Sequence, residues 1–283
     1  RKYPGRLYSR GVEMILEQLK ELLKQCPNDE ARIAILREHL QLIILDIISK
    51  RGYFKNIAFV GGTALRIIHR INRYSEDLDF SLINDDNYDF ETMIAVTCKE
   101  LQLRNINVDT KVKKQIGAVR SCFFRFKGLL YDLGLSPLKD QKISVKFDID
   151  ENPPLGFQTE ITVITNNSSF LVSHFDLASL LAGKLHAILS RQYTKGRDYF
   201  DLLWFMTSGV EANLQLLSNA LEQSTKQAVS LNSDQLREML IERVSNADFK
   251  AIKGDLSNFI INKDELDLYQ KEIFIKSIKN SFN

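Results

Sequence analysis

The stretch that decides the fold is residues 57–82, which read IAFVGGTALRIIHRINRYSEDLDFSL. Its first four residues form a short apolar run, which is typical of a buried strand. Gly61-Gly62-Thr63 follows at once, and two glycines let a backbone turn sharply and approach a ligand closely. Apolar residues at helical spacing then continue from Ala64 to Ile71. This order predicts a strand, a tight turn and a helix.

The end of this stretch alternates strictly between polar and apolar residues. Asp77 and Asp79 share one face of the predicted strand, while Leu78 and Phe80 share the other. Two neighbouring carboxylates repel each other unless a cation lies between them. Mg²⁺ (or Mn²⁺) prefers carboxylate oxygens together with substrate phosphates. We therefore predict that Asp77 and Asp79 are metal ligands; the alternative is a solvated strand face.

A third carboxylate usually completes such a metal site from a neighbouring strand. Residues 142–150, which read KISVKFDID, offer two candidates. Asp148 and Asp150 share one face of this predicted strand, because the apolar residues between them alternate onto the other face. We favour Asp148 over Asp150 as the third ligand. An exposed polar strand face is again the alternative.

The glycine turn is the predicted phosphate cradle, formed by Gly61, Gly62 and Thr63. Backbone N–H groups at the start of a helix point towards a bound anion. A plain strand-to-helix turn is the alternative. Three arginines on one flank of the predicted helix either draw a triphosphate or pair with local acids, and we assign the first of them to the nucleotide. They are Arg66, Arg70 and Arg73.

The composition excludes several classes of protein. With 44% hydrophobic and 26% charged residues, the 283-residue chain resembles an ordinary globular protein of one large or two smaller domains. A net charge of only +2 excludes a uniformly basic surface, so any nucleic-acid patch is local. Cys26, Cys98 and Cys122 are scattered, which favours free thiols over a zinc site. No apolar run approaches membrane-spanning length, so we expect a cytoplasmic protein without a membrane partner.

The rest of the chain mixes predicted helices and strands and then becomes entirely helical. The earlier helices are predicted over Val12–Gln25, Asp29–Lys50 (with Asp29 as its N-cap) and Phe90–Leu103. The strands are predicted over Ile106–Lys113, Ala118–Lys127, Lys142–Glu151 and Glu160–Ile164. The later helices are predicted over Asp176–Ser190, Arg197–Thr207, Ala212–Glu222, Ser233–Val244 and Glu265–Phe282. This pattern predicts an α+β domain over residues 1–205, with a mixed sheet flanked by helices, and a helical bundle over 206–283.

Two blocks of sequence carry a resemblance to a known family. The first is the glycine turn followed by SEDLDFS; the second is DLASLLAGKLHAILSR over 176–191, followed by KGRDYFDL over 195–202. In this order they resemble the AbiEii/AbiGii toxin-type nucleotidyltransferases of bacterial abortive-infection and type IV toxin–antitoxin systems. A lone D-x-D motif occurs in many unrelated sites, whereas two long blocks in the same order are specific. The resemblance covers roughly residues 60–210.

This resemblance implies a fold, an activity and partners. It implies a nucleotidyltransferase-type sheet and Mg²⁺-dependent transfer of an NMP from an NTP to an acceptor, with RNA (often tRNA) as that acceptor. It also implies a toxin-like role and a separately encoded antitoxin as partner. Lys184 would contact the nucleotide phosphates, and Asp198 is the family's other marked position. From the residues alone, Asp198 is also suited to the first turn of a helix, and Asp201 to a buried structural partner.

A basic stretch without any acid extends over residues 111–127. Its six basic residues are Lys111, Lys113, Lys114, Arg120, Arg125 and Lys127. A charged sheet face is the usual explanation of such a pattern. An RNA acceptor would also require a local basic patch of this kind.

Two other functional classes compete with the nucleotidyltransferase. In a D-x-D phosphatase of the haloacid-dehalogenase type, the first aspartate ends an apolar strand, whereas RYSE precedes Asp77 here. A non-catalytic NTP- or RNA-binding module would not need Asp77, Asp79, Lys184 and Asp198 together. We therefore expect an enzyme.

Overall fold

A mixed sheet of seven strands forms the centre of the fold, in a computed structural model that describes residues 19–166 and 168–282. The strands are β1 (Ile57–Val60), β2 (Asp77–Leu82), β3 (Val108–Val112), β4 (Val119–Lys127), β5 (Lys142–Asp150), β6 (Thr159–Thr165) and β7 (Ser169–Phe175). Their order across the sheet is β3-β4-β5-β2-β1-β7-β6. β2 pairs with β5 and β1 with β7 in parallel, whereas β3, β4 and β5 pair antiparallel. The predicted α+β class is confirmed.

The helices precede, interrupt and follow these strands. They are α1 (Asp29–Lys50), α2 (Gly61–Ile68), α3 (Phe90–Leu103), α4 (Leu129–Asp132), α5 (Leu177–Ser190), α6 (Gly196–Ser208), α7 (Leu214–Thr225), α8 (Ser233–Ser245), α9 (Phe249–Leu256) and α10 (Lys271–Ser281). Short 3-10 turns occupy Tyr53–Lys55 and Lys263–Leu268. None of the helices in the described ranges combines the length and the apolar character that crossing a membrane requires. Of the helix predicted over Val12–Gln25, residues 19–24 are helical, and the part before residue 19 lies outside the described residues.

The described chain divides into two compact units made of interleaved segments. The first unit holds the described residues up to Ala58, then Ser75–Glu151 and Val163–Val172. The second unit holds Phe59–Tyr74, Asn152–Thr162 and the chain from Ser173 onward. The boundary predicted after residue 205 lies inside α6. The division into an α+β domain over 1–205 and a helical bundle over 206–283 stays a prediction.

Aromatic packing dominates the core of the first unit. Phe147 on β5 packs against Phe80 of β2 at a centroid distance of 4.7 Å and against Phe124 of β4 at 5.9 Å. Leu36 and Ile44 of α1 are completely buried. The N-cap of α1 is Asn28, whose side chain accepts a hydrogen bond from the Ala31 amide, so the predicted Asp29 cap is wrong by one residue.

Helix-on-helix packing dominates the second unit. α6 begins at Gly196, where an added Cβ would lie only 2.4 Å from the Ile252 carbonyl oxygen of α9. The same glycine donates its amide to Asp255 Oδ2 at 2.7 Å. Only glycine permits this approach of α6 and α9, because any side chain would collide with backbone.

Several elements differ from the sequence prediction. α2 begins at Gly61, whose φ is +77°, so both glycines belong to the first turn of the helix. The helix ends at Ile68, three residues before the predicted end at Ile71. The strand β7 was not predicted, because its serines and histidine break the apolar pattern that a buried strand usually shows. α9 was also missed.

Candidate functional site

The strand β2 is held at its start by α1. Gln41 is completely buried and donates Nε2 to the Ser75 carbonyl at 3.3 Å. Arg37 pairs with Glu76 at 3.0 Å. The chain is therefore fixed immediately before Asp77, and the burial of Leu78 on the opposite face of β2 determines which way the aspartates point.

The predicted third carboxylate lies on the neighbouring strand. β2 and β5 pair in parallel, with Asp79 opposite Asp148 and Asp77 opposite Lys146. Residues in register on adjacent strands point to the same face of a sheet. Asp150 lies opposite Ser81, one step further along. The register thus favours Asp148 over Asp150 as the companion of Asp79.

Lys146 was missed by the sequence analysis, although it shares this face. Its ammonium contacts Asp148 Oδ2. Burial alone would lower the pKa of Lys146, but the carboxylates of Asp148, Asp77 and Asp79 outweigh burial and raise it. We call Asp77, Asp79, Asp148 and Lys146 the acidic cluster. The alternation KFD, with a lysine two residues before the aspartate, is the sequence signal that would have revealed it.

The acidic cluster fits a divalent cation in its chemistry. Its donors are carboxylate oxygens, which Mg²⁺ and Mn²⁺ prefer. Asp148 Oδ1 is buried and has no hydrogen-bond partner among the described residues. A buried acceptor of this kind is costly unless a cation or donor satisfies it. Within residues 19–166 and 168–282, however, no three or more His, Cys, Asp or Glu side chains converge closely enough to hold a metal ion. The ligand set is therefore not preassembled.

The predicted phosphate cradle belongs to the second unit. The N-cap of α2 is Val60, and no side chain caps this helix end. The first amides of a helix have no partner within the helix, and such groups bind anions. Gly61 and Gly62 are half-buried, whereas the Thr63 side chain is completely buried. The geometry thus suits the two glycines better than the threonine side chain.

The three arginines after the cradle do not share a helix flank. Because α2 ends at Ile68, the prediction that all three lie along it is wrong. Arg66 donates Nη1 to the Ile71 carbonyl at 3.1 Å and lies over the Tyr74 ring. Arg73 is only 1% exposed. It therefore cannot draw a triphosphate from solvent, while the role of Arg66 remains a prediction.

Arg73 instead takes part in a buried set of ion pairs around α5 and α6. Its Nε and Nη2 both contact Asp201, each at 2.7 Å, and Asp201 is completely buried. Lys184 of α5 lies 2.7 Å from Asp201 and 3.4 Å from Asp198, and Arg191 contacts Asp198 as well. We call these five residues the ion-pair network: Arg73, Lys184, Arg191, Asp198 and Asp201. The prediction of Asp201 as a buried structural partner is confirmed.

The electrostatics of the ion-pair network favour its charged form. Burial would raise the pKa of Asp201, but the charges and hydrogen bonds of Arg73 and Lys184 outweigh burial and lower it. Three cations face two carboxylates. Arg73 is enclosed, whereas the Lys184 side chain keeps 14% of its surface exposed. Lys184 thus combines acidic support with some access to solvent, as does Arg191, whose side chain is 34% exposed.

The basic stretch of residues 111–127 separates into two halves. Arg125 and Lys127 pair with Asp109, and Arg120 contacts Glu91 and lies over the Phe90 ring. No ion pair between described residues involves the other three lysines, and all three are exposed. They are Lys111, Lys113 and Lys114. The patch open to an RNA backbone is therefore smaller than the sequence suggested.

A family model described as nucleotidyl transferase AbiEii toxin, Type IV TA system, matches residues 43–270. No relative is found among curated protein sequences.

Solved structures with the same fold include two from bacteria. MenT4, a nucleotidyltransferase toxin from Mycobacterium tuberculosis, is similar with a TM-score of 0.60 and 16% identity, over 94% of this chain and 89% of that chain. JHP933 from Helicobacter pylori is similar with a TM-score of 0.51 and 19% identity, over 87% of this chain and 94% of that chain. At these identities the likeness concerns the fold alone.

Proposed function

The chain belongs to the AbiEii family of nucleotidyl transferase toxins, and from this premise we propose that it transfers an NMP from an NTP to an RNA acceptor, with Mg²⁺ or Mn²⁺. The observation that carries the proposal is the register of β2 and β5, which sets Asp79 opposite Asp148 on the face that also carries Asp77. An acceptor hydroxyl attacks the α-phosphate, the bond to the β-phosphate oxygen breaks, and pyrophosphate leaves. The hydroxyl proton passes to solvent.

The acidic cluster is assigned to the metal. When bound, the metal neutralises the triphosphate and lowers the pKa of the attacking hydroxyl. Asp77, Asp79 and Asp148 would hold it through their carboxylate oxygens. The packing of Leu78 and Phe80 on the other face of β2 keeps these side chains in one orientation, which is what positioning requires.

The glycine cradle and Lys184 are assigned to the triphosphate. Gly61 and Gly62 would offer backbone N–H groups at the uncapped start of α2. Lys184 would contribute a compact positive charge. Asp198 is a positioning residue in this proposal, because it lies 3.4 Å from the Lys184 ammonium and holds it in place.

The exposed lysines of the basic stretch are assigned to the RNA acceptor, with tRNA as the first candidate. Lys111, Lys113 and Lys114 lie around the end of β3, and the Lys113 ammonium lies 4.8 Å from the centre of the Phe123 ring. Such cations contact phosphates without reading sequence. An aromatic ring beside them can stack on an unpaired base.

One incubation tests the proposed reaction. The protein is mixed with each of four NTPs, labelled in turn on the α- and γ-phosphate, with Mg²⁺ or Mn²⁺ and total RNA. Transfer predicts α-label in RNA, γ-label in pyrophosphate, and no product in EDTA. Free orthophosphate would indicate a phosphatase instead. Unchanged NTP under every condition would indicate a binding module without catalysis.

The family also implies an antitoxin partner. We propose that the antitoxin is encoded separately and limits the transfer reaction in the cell. Expression of the protein alone should arrest growth, and the Asp79→Asn variant should not. Equal toxicity of the two forms would separate the toxicity from the transfer reaction.

A further inference from the structure

We propose that Lys146 is a built-in cation that occupies the acidic cluster when no metal is bound and competes with the metal for it. This inference rests on the proposed metal site. Its geometric basis is the register, which sets Lys146 opposite Asp77, and the contact between its ammonium and Asp148. The three carboxylates would otherwise repel one another, and the lysine neutralises part of their charge.

The surroundings of Lys146 direct its ammonium towards the carboxylates. On the other side of β5, Lys146 lies opposite Phe123 of β4, which offers no charge. Its side chain is 33% exposed, so the four-carbon stem has room to move. Asp148 uses Oδ2 for the lysine, and Oδ1 has no partner among the described residues. The Asp148 carboxylate thus has a partner at one oxygen only, and that partner, the Lys146 ammonium, is free to move away.

This arrangement fits a cluster whose ligand side chains do not converge. No metal-binding group of three acidic or other ligand side chains forms within the described part of the chain. A bound ammonium holds Asp148 in a monodentate pair instead of in a coordination shell. Entry of a divalent cation would release the ammonium, which then becomes available to a phosphate.

The consequence is that the acidic cluster binds a free metal ion more weakly than the same carboxylates would without Lys146. A competing charge lowers the affinity for free metal ions, so the cluster fills only when the metal is abundant or arrives with an NTP. Removing the ammonium should therefore tighten binding of the metal alone. The positive charge, rather than the shape of the side chain, is the cause.

The test compares Lys146→Gln with Lys142→Gln. Lys142 shares the strand and the face, but it lies four residues away, about 13 Å along β5, and pairs with Asp109. Both variants lose one positive charge, so they control for net charge. Mn²⁺ binding is measured by calorimetry, and free Mn²⁺ by electron paramagnetic resonance, with no nucleotide present. Lys146→Gln should bind Mn²⁺ at least about tenfold more tightly than wild type, and Lys142→Gln should match wild type.

Thermal unfolding supplies a second readout. Without metal, Lys146→Gln should be less stable than wild type, because the Asp148 carboxylate loses its ammonium partner, and Mn²⁺ should restore its stability. A loss of stability that Mn²⁺ does not restore, together with unchanged Mn²⁺ affinity, would mean that Lys146 is only structural and would overturn the inference alone. If neither wild type nor variant binds Mn²⁺, even with a non-hydrolysable NTP, the metal site itself is refuted along with it.

Discussion

The acidic cluster and the ion-pair network both combine lysine with aspartate, yet they differ in balance and in burial. The acidic cluster brings three carboxylates and the Lys146 ammonium to a strand face that is partly open, and Asp148 keeps 15% of its side chain exposed. In the ion-pair network three cations face two carboxylates, and Asp201 and Arg73 are almost completely enclosed. Among the residues named in each, the acidic cluster carries more negative charge and the ion-pair network more positive charge.

This difference indicates that the acidic cluster binds a ligand, whereas most of the ion-pair network stabilises the fold. A buried ion pair costs desolvation and persists only when every partner is present. A carboxylate on a partly open strand face has access to a cation from solvent, and it is stabilised most when that cation binds. The acidic cluster should therefore tolerate substitution without unfolding, whereas the ion-pair network should not, except at Lys184.

The largest expected effect is on stability, at Asp201. Asp201→Asn leaves Arg73 buried without its carboxylate and removes one of the two carboxylates beside Lys184, so the free energy of unfolding should fall by about 3 to 5 kcal/mol. Urea unfolding measures it. Asp77→Asn is the matched control, and it should change stability by less than about 1 kcal/mol, because it removes a repelling charge.

Equal losses in these two variants would remove the distinction between the two clusters. The double variant Arg73→Met with Asp201→Leu sharpens it further. Replacing both partners by apolar side chains should cost less than Asp201→Asn alone, because Arg73 is then no longer a buried charge without its partner.

The next effect is on catalysis, at Asp79. Asp79→Asn should reduce transfer at least about 1,000-fold, equivalent to about 4 kcal/mol of transition-state stabilisation. Asp148→Asn should act similarly. Asp150→Asn is the control, since it lies on the same face of β5 but opposite Ser81. The measurement is the initial transfer rate of each folded variant. A strong loss of rate in Asp150→Asn with none in Asp148→Asn would make Asp150 the third ligand instead of Asp148.

Lys184 should behave as the functional exception within the ion-pair network. Lys184→Ala should weaken binding of a non-hydrolysable NTP by about 2 kcal/mol, as expected for a charged group whose partner is left bare. Asp201 keeps its bidentate pair with Arg73, so the fold should survive. Titration calorimetry tests this, with the exposed Lys250→Ala as control. An unchanged affinity would make Lys184 a purely structural residue.

A smaller effect is expected at the exposed lysines, which belong to neither cluster. Replacing Lys111, Lys113 and Lys114 by glutamine should raise the dissociation constant of the RNA acceptor and reduce its salt slope by about two units. NTP affinity should not change. The control replaces Arg125 and Lys127, which already pair with Asp109. Identical salt slopes in all three proteins would place the acceptor elsewhere.

The smallest effect concerns pH. The pKa of Asp201 lies below its ordinary value of 3.8 in the folded protein, so its carboxylate stabilises the fold above that value. This contribution is lost as the pH falls through the lowered pKa. The stability difference between wild type and Asp201→Asn should stay constant from about pH 8 to 5 and shrink only in stronger acid. A difference that already shrinks near neutral pH would contradict the lowered pKa.

Much of the fold could be predicted because its signals are local. The alternation of Asp77–Leu82 and the bounds of Phe90–Leu103 were both predicted correctly, since burial of one face imposes the period of each element. β7 escaped because the buried Ser173 and His174 interrupt its apolar pattern, and its pairing with β1, with Phe59 opposite His174, joins segments far apart in the chain. The helix start at Gly61 escaped because glycine is also the usual residue of a turn.

The sequence by itself determined which residue types serve the chemistry: two aspartates on one strand face, a glycine turn, a lysine in an apolar helix, and the family. Only the tertiary structure decided their partners. It set Asp148 opposite Asp79, brought Lys146 among the carboxylates, and buried Arg73 against Asp201, which lies 128 residues away along the chain. Periodicity reports which face a residue occupies, whereas the partner across a sheet or between helices is fixed by contacts between distant segments. The sequence thus specifies the charge of a residue, whereas its role depends on the residues that the fold places beside it.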